Sequence, residues 1–278
     1  MKYQHRYHAG NFADIHKHVM LLALLQALKR KDKPFVYFET HAGRGAYDLA
    51  HSAEAIHGCR RFAGGRYRAP ELRAFEALLR DFRSRRSAPE AYPGSPCIAA
   101  LQLREVDRAV LCECMAAEAA ALARELQQHR NMHIERDDGF ARLKAWLPPA
   151  ERRALIFIDP PYEQSRNEFA QVTNAIVDAV RRFATGIYAI WYPIKEQRTV
   201  RTWQDAFAQA VRYPTVAAEL WLYPPDSAVA LNGSGMLIVN PPYQLAEHAG
   251  LWQTELQLRL DVGSDGGGTL VRALTPSR

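Results

Sequence analysis

Nowhere does this 278-residue chain contain an unbroken apolar run of the roughly 18 residues that a membrane-spanning helix requires, which argues against a helical membrane protein. The opening residues, Met1-Lys2-Tyr3-Gln4-His5-Arg6, lead into no apolar segment of the signal-peptide kind, so secretion is not expected either. Cysteine is scarce: the four at positions 59, 97, 112 and 114 show no paired C-x-x-C spacing and read as reduced core thiols of a cytoplasmic protein. A third glycine is also missing where a dinucleotide-binding turn needs one. After Gly43 and Gly45 the chain continues Tyr47-Asp48-Leu49, which counts against a nicotinamide-dependent oxidoreductase. Charge of one sign is only mildly in excess. A net +6 and a sequence pI near 9.2 favour a polyanionic partner over an acidic protein.

What the chain does have is alternation. Apolar runs at 35–39, 109–112, 132–135, 154–158 and 186–192 read as strands, with helical patterns between them, and Pro193 reads as the stop of the last run. Further strand-like runs at 217–223, 235–239 and 269–274 end the chain in consecutive strands. That order predicts an α/β protein with a doubly wound, mostly parallel sheet and antiparallel C-terminal strands. From about 50 to 92 the strand-like runs give way to a helical pattern, an inserted basic subdomain within a main domain of 1–49 and 93–278 that begins with an arm, 1–18. Nine arginines (60, 61, 66, 68, 73, 80, 83, 85 and 86) stand there against three acids (71, 76 and 81). The local surplus of six equals that of the whole chain, so Arg60, Arg61 and Arg66 are candidate contacts to nucleic acid. A solvated helix face is the plainer reading of the same charges.

Asp159-Pro160-Pro161-Tyr162 ends the run 154–158 abruptly, with an acid, two prolines and an aromatic ring at a strand's end. Such a set suits activation of an exocyclic amine, whose lone pair is delocalised into its ring. Asp159 can accept one amine hydrogen, the Pro160 carbonyl, at an angle fixed by locked φ values, can accept the other, and Tyr162 can stack on the base. Asn240-Pro241-Pro242-Tyr243 offers a rival set, but it ends a run in the antiparallel tail, away from the sheet's switch point. Glu113, just past the run 109–112, can hold both hydroxyls of a ribose. Asp138 can accept from a cofactor's adenine amine, N-cap the helix 140–146, or do both. Ser95 with Pro96 reads first as an N-cap and N1 pair. In the arm, Tyr3, Arg6, Lys17 and His18 mix aromatic and cationic groups suited to a nucleic acid or an anionic cofactor. His5, His8, His16 and His18 lack a completing Cys or carboxylate cluster, so no metal is expected.

Taken together, strand, glycine turn, ribose-facing acid, second strand-end acid and Asp-Pro-Pro-Tyr resemble an S-adenosylmethionine-dependent amino-methyltransferase. Tyr3, His8-Ala9-Gly10-Asn11-Phe12-Ala13-Asp14, Lys17-His18, Thr40-His41-Ala42-Gly43, Tyr92-Pro93-Gly94-Ser95-Pro96, Asp138-Gly139-Phe140 and the Asp159 motif resemble the RlmJ family of 23S ribosomal RNA adenine-N6 methyltransferases. The resemblance implies a Rossmann-like class I methyltransferase fold and a donor site formed by His18, His41, Ser95, Glu113, Asp138, Gly139 and Asp159, with Lys17 nearby. It further implies that Tyr3 touches RNA, that S-adenosyl-L-homocysteine is the by-product, and that no metal and no obligate protein partner are needed. Cys114-Met115-Ala116 and His16 depart from the family's usual Leu-His-Pro and apolar residue at these places, and so bear on the adenine pocket's wall and on which histidine faces the donor. Two alternatives share these features: a DNA adenine-N6 methyltransferase, and a non-catalytic RNA-binding protein on the same fold.

Overall fold

The fold was analysed in a computed structural model that describes residues 9–50, 52–162, 165–224, 227, 229, 231–263 and 266–274. Tyr3, His5, Arg6 and His8 lie outside them. The first element, α1 (Phe12–Lys29), is apolar on nearly every side and is correspondingly buried along most of its length. After it come β1 (Val36–Glu39), then β2 (Ala46–Asp48), a 3-10 turn Glu54–His57, α2 (Cys59–Phe62), α3 (Pro70–Arg86) and β3 (Ala91–Pro93). β2 and β3 form an antiparallel pair at the mouth of the helical stretch, so Tyr92 and Pro93 belong to a short strand. Buried Phe62, Leu72, Phe75 and Phe82 join the apolar cluster that contains α1.

The chain then alternates: α4 (Ser95–Gln102), β4 (Arg108–Cys112), α5 (Ala116–Glu125), β5 (Met132–Glu135), α6 (Gly139–Trp146), β6 (Ala154–Ile158), α7 (Ser165–Arg182), β7 (Ile187–Ile194), α8 (Gln197–Val211), β8 (Thr215–Trp221), β9 (Gly233–Val239), α9 (Leu245–Leu260) and β10 (Gly268–Leu274). Eight strands make one sheet in the order β10-β8-β9-β7-β6-β1-β4-β5. β5, β4, β1, β6 and β7 are parallel, while β9, β8 and β10 join antiparallel, giving the Rossmann-like sheet expected from the alternation. The chain leaves β1 toward β4 on one side and returns to β6 on the other. This switch opens a crevice at the carboxyl ends of β1 and β6, where ligands of such sheets bind.

Three expectations need correction. Helix α9 was not foreseen, although Leu245, Ala249, Trp252, Leu256 and Leu260 recur at helical spacing and are buried against β8, β10 and α1. Pro193 does not stop β7 but pairs within it opposite Ser234, beyond Ile190, the last residue paired with β6. With no β6 partner there, a proline is tolerated. Gly94, not Ser95, is the cap residue of α4, and it is Ser95 that begins the helix. Among the described residues, no helix is long and apolar enough to cross a membrane.

Candidate active site

β1 ends in an acid, Glu39, that is fully buried. Its carboxyl accepts from Tyr37 Oη at 2.9 Å and from Ser95 Oγ at 2.5 Å, tying the start of α4 to the end of β1. Burial lifts its pKa to about 8, although both hydrogen bonds work against the shift. The following turn begins with Thr40, whose Oγ1 lies 2.8 Å from His41 Nδ1. Burial lowers the His41 pKa to about 4, against the opposing charges of Asp159 and Asp138, so its imidazole is neutral at pH 7. Gly43 follows at φ 64°, a conformation that favours glycine, and donates its N–H to Glu113 Oε2 at 2.9 Å.

Glu113, at the end of β4, holds a second backbone donor, Met115 N, on Oε1 at 2.7 Å. Two amide donors fix the carboxylate at the turn, and each oxygen retains acceptor capacity for a diol. Asp138 N-caps α6 through Ala141 N at 2.9 Å, so its capping role is realised. At Gly139 a Cβ would stand 2.0 Å from Thr40 O, so this close approach of α6 to the end of β1 requires glycine.

Asp159 stands one residue beyond β6. Its Oδ2 accepts from Lys17 Nζ at 2.6 Å, and the same ammonium lies 2.9 Å from Asp14 Oδ1. Lys17 is 3% exposed. Desolvation opposes its charge, yet Asp14 and Asp159 outweigh that effect and raise its pKa above the ordinary lysine value. Asp14 is held in turn by Gly10 N at 2.8 Å. Among the described residues nothing bonds to Asp159 Oδ1, which remains open as an acceptor. The indole of Trp191 lies beneath the ammonium, 5.2 Å from Nζ to its centroid.

Lys17, Glu39, His41, Ser95, Glu113, Asp138, Gly139 and Asp159 thus form a continuous cluster across the carboxyl ends of β1, β4, β5 and β6. Asp14, Glu39, Thr40 and Trp191 were not foreseen. An acid closing the apolar run 35–39, and Asp14 three residues before Lys17 in an aliphatic helix, were readable signals.

The structure departs from the sequence reading at several side chains. Tyr162 is 2% exposed and takes a left-handed φ of 48°, with its ring against Phe169 and Trp191 and its hydroxyl donating to Trp191 O at 2.7 Å. It is packed inward and offers no open face to a base. His18 is buried, with Nδ1 2.7 Å from Tyr92 Oη. His16 lies in a different network, 2.9 Å from Ser234 Oγ and 2.6 Å from Gln253 Nε2, and burial drops its pKa to about 3. His18 is therefore the one on the Tyr92–Ser95 side. Cys59, Cys97 and Cys112 are buried free thiols, whereas Cys114 is exposed and not in the core.

Most of the insertion's arginines are engaged within the protein. Arg60 donates to Leu49 O and Glu90, Arg61 to the carbonyls of Leu260 and Asp261, and Arg83 to Ala91 O. Arg73, Arg80, Arg85 and Arg86 are likewise bonded or ion-paired. Arg66 and Arg68 are exposed and, among the described residues, have no side-chain partner.

Comparison with known proteins bears on this arrangement. A family model described as "Ribosomal RNA large subunit methyltransferase D, RlmJ" matches residues 32–268. "Ribosomal RNA large subunit methyltransferase J" of Escherichia coli (strain K12) is 39% identical over 253 residues, covering 89% of each chain. The protein of the same name from Haemophilus influenzae is 37% identical over 251 residues, covering 88% of this chain and 89% of the other. A crystal structure of a Legionella pneumophila protein superposes with a TM-score of 0.84 at 35% identity, covering 98% of this chain and 99% of that one.

Proposed function

Because the chain belongs to the RlmJ family of ribosomal RNA large subunit methyltransferases, we propose that it methylates the N6 amine of an adenine in 23S ribosomal RNA. The observation that carries this reading is Asp159, whose one oxygen is fixed by buried Lys17 while the other is open beside Pro160 at the sheet's switch point. A target adenine that leaves its stack, at a cost of a few kcal/mol, would give one N6 hydrogen to Asp159 Oδ1 and the other to the Pro160 carbonyl. Drawing both hydrogens out of the ring plane takes the nitrogen toward tetrahedral geometry, which localises its lone pair and aims it at the donor. As the new bond forms, Asp159 Oδ1 takes the proton that N6 loses. Lys17 holds the carboxylate in place throughout, an acceptor preorganised by a buried cation.

The residues gathered at this edge fit S-adenosylmethionine: Glu113 for the ribose hydroxyls, Asp138 and Gly139 at the adenine, and His41, Ser95 and the 40–43 turn toward the methionine end, with His18 behind Tyr92. When bound, S-adenosylmethionine supplies the methyl group on a sulfonium and leaves as S-adenosylhomocysteine. No residue in this scheme needs a metal. Tyr162 anchors the motif through Trp191, and Trp191, half-buried and level with Asp159 in the next strand, is the ring nearer to where a base would lie. Tyr3 and Arg6 of the arm, with Arg66 of the insertion, are the proposed RNA contacts. Arg60 and Arg61 serve mainly to hold the inserted subdomain, 50–92, to the main domain.

Free or incompletely assembled RNA in the cytoplasm is the substrate form we favour, because an unstacked or weakly paired base lowers the flipping cost. Incubation with methyl-labelled S-adenosylmethionine and unmodified 23S rRNA, followed by mapping of the labelled base, tests the proposal. Label on adenine N6 supports it. Equal labelling of a competing DNA duplex would favour the DNA enzyme, and donor that fails to bind would favour the non-catalytic RNA-binding reading.

A further inference from the structure

β7 runs four residues past the end of its pairing with β6, from 191 to 194. Ile190 is level with Ile158, so this overhang carries the chain about 13 Å beyond the level of Ile158, and about 10 Å beyond that of Asp159, at about 3.3 Å per residue. Exposed Lys195 follows, and α8 begins there with Arg198 and Arg201 exposed and three residues apart on one face. Among the described residues, none of the three has a side-chain hydrogen bond or ion pair. Between 191 and 204 the sequence holds three cations against one acid, Glu196, whose carboxylate already accepts from Thr199 Oγ1 at 2.8 Å. The scaffold beneath is fixed. Asn232 donates its side-chain amide to Lys195 O at 2.8 Å and its backbone N–H to Ile194 O at 3.0 Å.

The insertion presents the opposite case, since seven of its nine arginines are bonded within the protein. Three unpaired cations on a rigid ledge, on the same sheet edge as the reacting carboxylate, complement a phosphate backbone. We infer that Lys195, Arg198 and Arg201 form a docking ledge for the substrate RNA strand that flanks the target base. This inference rests on the RNA methyltransferase reading above and adds to it a surface outside the reaction centre. Its residues bind phosphates, not the base, so they set affinity and its salt dependence and leave the chemical step unchanged.

The test compares wild type with the triple variant Lys195→Ala/Arg198→Ala/Arg201→Ala, binding a fluorescent 23S rRNA fragment over a potassium chloride series, alongside methylation kinetics and donor calorimetry. Loss of three phosphate contacts flattens the slope of log affinity against log salt by roughly two to three. KM for RNA rises, while kcat at saturating RNA, donor affinity and the melting temperature stay at wild-type values. An unchanged slope in the variant, with wild type binding RNA normally, overturns the ledge and leaves the methyltransferase reading intact. A fall in kcat with unchanged KM also overturns it, by placing these residues at the chemistry. Wild type that binds no RNA at any salt removes both readings together.

Discussion

Two nearly identical tetrapeptides follow buried strands in this protein, and only one of them arrives beside a buried ammonium at the carboxyl edge of the sheet. Asp159-Pro160-Pro161-Tyr162 follows β6 and Asn240-Pro241-Pro242-Tyr243 follows β9. β6 runs parallel to β7, so Asp159 arrives level with Trp191 at the carboxyl edge. β9 runs antiparallel to β7 with Val239 opposite Tyr188, so Asn240 arrives at the amino edge, among the residues that precede β7. There its amide donates to Ala184 O at 2.9 Å and Gly186 O at 2.8 Å. The first motif meets a buried ammonium and the second meets two carbonyls. A local pattern therefore acquires its chemistry from the direction of its strand and from what that edge has gathered.

Exchanging the defining residues should break this comparison most sharply. Asp159→Asn keeps the shape but removes a proton acceptor and leaves Lys17 paired with Asp14 alone, so kcat should fall by about 10²–10⁴. Asn240→Asp should leave kcat at the wild-type value and cost about 1–3 kcal/mol, because two carbonyls lose their donor and face a carboxylate instead. Steady-state methylation of an rRNA fragment and thermal melts of both variants give the answer. A kcat loss in Asn240→Asp would mean that the second motif also serves the reaction.

The tyrosines differ almost as much. Tyr162 is packed between Phe169 and Trp191 with its hydroxyl satisfied, whereas Tyr243 is 84% exposed. Tyr162→Ala should therefore destabilise the fold by about 3–5 kcal/mol, read by denaturant unfolding. A loss below about 1 kcal/mol would show that the ring is not held as the structure has it.

The sequence made the parallel half of the fold legible because its strands are continuous apolar runs, most of them closed by acids, and candidate site residues stand at or just past those closures. Asp159 and Glu113 become candidates by that rule alone, and Asp138 by standing just past the run 132–135 and before a glycine. Asp14 and Glu39 were overlooked because charged groups inside apolar elements look like interruptions, and their partners, Lys17 and Ser95, come from other elements. The inward turn of Tyr162 was not readable either, since it depends on Phe169 and Trp191 from α7 and β7. The insertion's arginines misled for a similar reason. Composition counts charges, but only packing reveals that Arg61 is spent on the end of α9.

Glu39 adds a buried titrating group to the carboxyl edge. Its folded pKa, raised by burial to about 8 from the ordinary glutamate value of 4.5, means that the folded state keeps a proton that the unfolded chain has released. Below pH 4.5 both states are protonated and the group costs nothing. From pH 4.5 to 8 the wild type loses stability through this group at up to about 1.4 kcal/mol per pH unit, and above pH 8 the loss levels off. Tyr37, Ser95, Lys17 and Asp159 are the groups that act on it. Glu39→Gln, neutral throughout, should gain on wild type across that window in chemical unfolding measured at stepped pH. Parallel stability curves for the two proteins would place the titration elsewhere.

The smallest effect belongs to Tyr243. Its ring stands at the amino edge in solvent, just before α9, and among the described residues its hydroxyl has no hydrogen-bond partner. Replacing an exposed side chain away from caps and networks changes stability by about 0.5 kcal/mol or less. Tyr243→Ala should thus leave the melting temperature, donor affinity and methylation rate at wild-type values, although the same substitution at Tyr162 is severe. A weakened RNA affinity in Tyr243→Ala, with kcat intact, would reverse the contrast by giving the second motif a substrate contact of its own. RNA would then have to reach the amino edge of the sheet, opposite Lys195, Arg198 and Arg201, and that path can be checked by combining Tyr243→Ala with the ledge variant and measuring whether their losses add.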